Sequence, residues 1–255
     1  MRFGIIGAGG YVAPRHLAAV AAVGGRLCVA QDIADSVRTL DVHFPDAAFF
    51  TDIDRLERHL VKEGRQGRRL DYLTICSPNH LHDGHIRFAL RNGADAICEK
   101  PVVINPWNLD LLRDAEERHG RRVWTILQLR LLPSLVALRE RVQAAEPGRR
   151  FAVDRSYITE RGGWYFASWT SDEKLSGDIA TKIGIYFFDL LQWIFGSVRE
   201  HKVRSDRSCC SRPNSMGARR RSRVLDTATA RCNRCHEWEP THSPLGICSH
   251  GGLQC

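Results

Sequence analysis

Gly7, Gly9 and Gly10 follow a short apolar run and lead into a helical stretch, while Lys100 stands between Glu99 and Pro101 at the end of another apolar run. A strand, a glycine turn and a helix bring backbone N–H groups and the positive helix end against a pyrophosphate, and glycine lets the backbone come close. With Gly7 and Gly9 the third small position of that fingerprint is Val12; with Gly7 and Gly10 it is Ala13, small enough for helix-to-strand packing. Asp32 ends the next apolar run, where a carboxylate holds the adenosine ribose hydroxyls of NAD and repels the 2'-phosphate of NADP. A lysine at a strand end, partly desolvated beside a nicotinamide, serves as general base or stabilises an alkoxide. Pro101 permits a cis bond at Lys100–Pro101. The plainer alternatives are a ligand-free turn, a solvated Asp32 and a surface Lys100 paired with Glu99, and spacing alone leaves them open.

The elements that must position these residues alternate. Strands are expected at Arg2 to Ile6, Arg26 to Ala30, Tyr72 to Cys76, Ala94 to Cys98 and Val123 to Leu127. Between them helices are expected through Ala22, from near Ser36, over 51 to 63, from His82 to Asn92 and from Pro106 to Arg118. Parallel neighbours need crossover connections, so this rhythm predicts an α/β Rossmann-type doubly wound parallel sheet in a dinucleotide-binding domain over residues 1–130. After Pro133 come a helix to Ala145, a strand from Phe151 to Thr159, an aromatic loop with Trp164, Tyr165 and Trp169, and an apolar helix from Gly177 to Phe195. Residues 131–198 thus open a truncated α+β domain.

The net charge of +8 suggests a nucleic-acid binder until its placement is considered. Residues 199–255 hold eleven Lys or Arg against five acids, so the body of the chain is nearly neutral. The same segment has six Ile, Leu, Val or Phe in fifty-seven residues, too few to offset ordering entropy, and disorder is expected there. The abrupt change suggests an out-of-frame ending that replaces the rest of the second domain. Cys232, Cys235 and His236 match the c-type haem spelling, and Cys248, His242 and His250 add possible zinc donors. Such matches arise by chance in a Cys-rich tail, and no metal site is expected. Cys28, Cys76 and Cys98 sit on expected strands as small buried hydrophobes of a reduced, cytoplasmic protein, with no membrane span and no specific nucleic-acid partner.

Glu99-Lys100-Pro101 and Cys76-Ser77-Pro78-Asn79-His80-Leu81-His82 resemble the motifs of the Gfo/Idh/MocA oxidoreductases. The resemblance covers residues 1 to about 198 and includes the segments from Gly10 to His16, Ile126 to Arg130 and Tyr157 to Tyr165. It implies NAD as cofactor, bordered by Gly7, Gly9, Gly10, Tyr11, Ala13, Asp32, Ser77, Asn79, His82, Glu99 and Lys100. It further implies oxidation of the C3 hydroxyl of a UDP-N-acetylglucosaminuronate-like sugar nucleotide in surface-polysaccharide synthesis, with Lys100 as the catalytic base or alkoxide stabiliser. Arg130 and Arg161 become candidates for the substrate's carboxylate or diphosphate, each equally suited to a surface ion pair.

The chain departs from the family at two positions. Lys182 stands where the family places Asn or Asp, and Tyr186 where it places a catalytic His, while Asp189 is retained. The three, at steps of four and three, are expected on one substrate-facing helix stripe. A phenol is a poorer proton acceptor at neutral pH than an imidazole. Two further readings therefore stay open: a non-catalytic NAD-binding protein, and a dehydrogenase of another sugar or cyclic polyol. The family's second domain is an open antiparallel sheet that mediates homo-oligomers, and this chain supplies little of it.

Overall fold

The structure, a computed structural model, describes residues 1–35, 37–147, 149–154, 157, 163–204 and 227–232. Six strands, β1 (Arg2–Ile6), β2 (Arg26–Gln31), β3 (Ala48–Phe50), β4 (Tyr72–Ile75), β5 (Asp95–Cys98) and β6 (Val123–Thr125), form one parallel sheet in the order β3-β2-β1-β4-β5-β6. Strand order reverses between β1 and β4, which makes the rim beyond their carboxyl ends the place where such sheets bind ligands.

Helices α1 (Ala13–Ala22), α2 (Arg38–His43), α3 (Ile53–Arg65), α4 (His82–Arg91) and α5 (Trp107–His119) make the crossovers. Period-two alternation sends Ile5 to one face of the sheet and Ile6 to the other. On the first face Phe3, Ile5 and Leu27 meet Ala13, Leu17 and Val20 of α1 and Leu40 of α2. On the second Ile6, Leu73 and Ile75 meet Leu56 of α3, Ile86 and Leu90 of α4, and Leu112 of α5. Each fully buried Leu or Ile stabilises the fold by about 2 kcal/mol relative to exposure. Helix α3 starts where the Asp52 carboxylate accepts the Arg55 N–H at 2.8 Å.

The chain divides into two compact units. The first is Met1–Ile126 with Trp169–Lys182, and the second is Leu127–Ser168 with Ile183–Cys255. The segment 169–182, expected in the second domain, groups with the sheet: Asn79 Nδ2 donates to Ser176 O at 2.7 Å. That segment contains the short helix α8 (Glu173–Ser176), which follows α7 (Gly163–Phe166) of the second unit. In the second unit α6 (Pro133–Gln143) and α9 (Ile185–Phe195) join through Leu138, Val142, Ile194 and Phe195.

Three local expectations are corrected. The single helix from Gly177 to Phe195 is broken: Gly177, at φ +78°, ends α8, and a π-helical turn (Ala180–Gly184) precedes α9. The expected strand from Phe151 is no strand in its described part: Phe151 packs on the Phe195 ring, whereas Val153 is exposed. Strand β3 was not expected, being three residues long with no alternation to mark it. Within the segment expected to be disordered, β7 (Val198–Arg204) and β8 (Thr227–Cys232) pair antiparallel. The tail cysteines and histidines proposed above as chance metal donors lie outside the described residues, apart from Cys232 in β8. Among the described residues no helix is long and apolar enough to cross a membrane.

Candidate cofactor and lysine site

Three strand ends lie abreast at the reversal point. Cys76 N–H donates to Ile6 O at 2.8 Å and Glu99 N–H to Ile75 O at 3.1 Å, so the turn after β1, the loop after β4 and the residues after β5 share one rim. The turn is tied to β2, since Gly7 N–H and Ala8 N–H both donate to Gln31 O. Gly7 has φ +81°, and a Cβ there would stand 2.6 Å from the carbonyl carbon of Cys76. No side chain but hydrogen fits that crossing.

Gly9 N–H donates to Asp32 Oδ2 at 2.8 Å, and Asp32 Oδ1 accepts from Ala34 N–H at 2.9 Å. The carboxylate is thereby fixed beside the turn at the end of β2. Helix α1 opens directly from the turn with no side-chain cap at Val12 and no acid in its first turn, leaving its positive end unopposed. Ala13 is fully buried under it, and Tyr11 is exposed with the Arg15 guanidinium 5.3 Å from its ring centre. A turn too close to the β4 loop for a Cβ at Gly7, an α1 start with no acid in its first turn and a fixed acid at the β2 end fit a dinucleotide.

Lys100 follows β5 with a cis bond to Pro101, and its Nζ donates to Lys182 O at 3.0 Å. The Glu99 carboxylate meets His16 Nε2 of α1 at 2.9 Å, both side chains largely buried. Lys100 is half-buried.

Three residues expected beside the cofactor, His82, Asn79 and Ser77, also have partners within the protein. His82 is 1% exposed, with Nδ1 2.6 Å from Pro101 O and Nε2 2.9 Å from Ser77 O, so it braces the two loops. Burial holds its pKa below the ordinary histidine value, against the pull of those two carbonyls. Asn79 spends its amide N–H on Ser176 O. Ser77, nearly buried, is hydrogen-bonded through Oγ to His85 Nδ1 at 2.8 Å, and burial pushes His85 down to about 4. The sequence reading missed His85. Its only signal was a second histidine three residues after His82 on the same helix face.

The expected substrate residues are also placed differently. Lys182 lies on the π-helical turn, so the spacing to Tyr186 is not that of an α-helix stripe. Its ammonium donates to Thr170 O at 2.8 Å and Ser176 Oγ at 2.9 Å. Within the second unit Arg130 and Asp189, two expected substrate contacts, form a two-pronged ion pair with each other, which raises the Arg130 pKa. Tyr186 Oη accepts from Gln128 Nε2 at 2.9 Å. Arg161 lies outside the described residues. Burial raises the pKa of the Cys76 and Cys98 thiols, leaving them inert as small core residues.

Residues 1–127 match the oxidoreductase family Gfo/Idh/MocA over its NAD-binding Rossmann fold, and residues 148–230 match its C-terminal alpha/beta domain. The second match passes the composition change at 199. The WlbA (WbpB) dehydrogenase of Thermus thermophilus, in complex with NAD and alpha-ketoglutarate, is 42% identical with a TM-score of 0.79, covering 92% of this chain and 71% of its own. The same dehydrogenase with NAD and UDP-GlcNAcA aligns at 47% identity and a TM-score of 0.75, over 80% of this chain and 66% of that one. D-glucoside 3-dehydrogenase of Escherichia coli (strain K12) is 27% identical over 149 residues, 54% of this chain and 42% of that protein. The chain therefore spans less than half the length of that curated relative.

Proposed function

The chain belongs to the Gfo/Idh/MocA oxidoreductase family, with an NAD-binding Rossmann domain, and from that premise we propose that it oxidises the C3 hydroxyl of a UDP-N-acetylglucosaminuronate-like sugar nucleotide in surface-polysaccharide synthesis. The observation that carries this reading is Lys100 on the same sheet rim as the glycine turn, two residues beyond the end of β5. The turn of Gly7, Gly9 and Gly10 would let the pyrophosphate approach the α1 N-terminus, and Asp32 would hold the ribose hydroxyls. NAD held there would supply the hydride acceptor for oxidation at C3. Lys100 receives the hydroxyl proton as an amine, or stabilises the developing alkoxide as an ammonium. Arg130 and Arg161 remain the candidates for a substrate carboxylate or diphosphate.

Purified protein given NAD and UDP-N-acetylglucosaminuronate should reduce the cofactor, followed by its absorbance. Lys100→Met should lower turnover by about 100-fold or more while calorimetry finds NAD affinity changed by less than about threefold. Cofactor reduction that survives this substitution would refute the role given to Lys100.

A second reading, a non-catalytic NAD-binding protein, is favoured by Tyr186 at the family's histidine position and by the engagement of its hydroxyl with Gln128. NAD binding without reduction of the cofactor, on this substrate or on a panel of sugars and cyclic polyols, supports it. Reduction on another member of that panel would instead keep the enzyme and change its substrate.

A further inference from the structure

Lys182 is engaged at both ends. Its side chain reaches back to the short helical segment before it, donating to Thr170 O and Ser176 Oγ, while its own carbonyl accepts from Lys100 Nζ at 3.0 Å. Ser176 is the centre of this arrangement and is fully buried. Its hydroxyl lies 3.0 Å from Thr170 O and 2.8 Å from Asp172 O, and its carbonyl takes the Asn79 amide at 2.7 Å. The segment 170–182 is thus tied to the loop after β4 on one side and to the lysine after β5 on the other.

We propose that Lys182 is a positioning residue: by anchoring its own main chain through its side chain, it presents the carbonyl that holds the amine of Lys100 in place. This rests on the catalytic reading of Lys100, yet it is tested without turnover.

The test is competitive acylation of the full-length protein by acetic anhydride, read by mass spectrometry at Lys100 and, as internal reference, at the exposed Lys62. Lys182→Met should speed acylation of Lys100 relative to Lys62 by about tenfold, the scale set by losing one hydrogen bond to a charged group. Lys182→Arg, which keeps donors for Thr170 O and Ser176 Oγ, should restore slow acylation. Ser176→Ala, which removes one anchor and leaves Thr170 O, should lie between. Thermal melting identifies any variant that fails to fold, and the remaining variants then decide. A Lys100 rate within about twofold of wild type in folded Lys182→Met overturns the proposal, as does an arginine variant no slower than the methionine one. Failure of the dehydrogenase assay alone would leave both acylation outcomes intact, so the two readings fail separately.

Discussion

The sheet unit and the α6–α9 unit hold themselves together by different means. Among the described residues, the two faces of the sheet bury clusters of fifteen and eleven apolar residues, whereas α6 and α9 share a cluster of four. The second unit leans on polar ties as well: Arg130 grips Asp189, and Arg139 donates to Trp193 O while stacking 4.7 Å above the Trp193 ring. The difference teaches where the protein can tolerate change. The glycine turn sits on a sheet packed from both sides, whereas Tyr186, which departs from the family pattern, sits on the lightly packed helix α9.

Substitutions can sharpen or break that contrast. Gly7→Val meets both a left-handed φ and a backbone carbon 2.6 Å away, and should destabilise the sheet unit by roughly 3 kcal/mol or more. Urea unfolding would show it, and NAD titration of the remaining folded protein should find no binding. Leu138→Ala should cost about 2 to 3 kcal/mol, confined to the second unit. Hydrogen exchange would then quicken in α6 and α9 while β1 and β4 stay protected and NAD affinity holds. Equal loss of protection in the sheet would mean that the two units fold as one, and the contrast would fail.

A third test concerns pH. His85 has its folded pKa pushed down to about 4 by burial, below its unfolded value near 6.5. Between these the unfolded chain binds the extra proton, so the contribution of neutral His85 is complete above about pH 6.5 and is lost as pH falls toward about 4. Urea midpoints of wild type should therefore drop over that window, and His85→Gln should flatten the slope. An unchanged slope would show that His85 does not carry it.

Much of the sheet unit was legible because its signals are local. Apolar runs ending in Gly7 or Asp32 mark strand ends, and the acid at the right distance from the turn marks the cofactor. β3 escaped because three residues carry no period, and the break at Gly177 escaped because apolar residues on both sides disguise it as one helix. The site residues that moved did so through partners that spacing cannot supply. Arg130 and Asp189 stand 59 positions apart, and Asn79 meets a carbonyl 97 positions away. A charged side chain advertises its charge in the sequence, but not what will neutralise it.

The doubly bonded carboxylate of Asp32 has one more consequence. Because the same two oxygens that would grip a ribose also brace the amides of Gly9 and Ala34, this acid is part of the frame of the turn. Trading it for a neutral or basic residue to admit a phosphorylated adenosine would loosen the frame along with the preference. A route to the other coenzyme would have to begin next door, at the solvent-facing Ile33, where a new arginine could be tried before the old acid is surrendered.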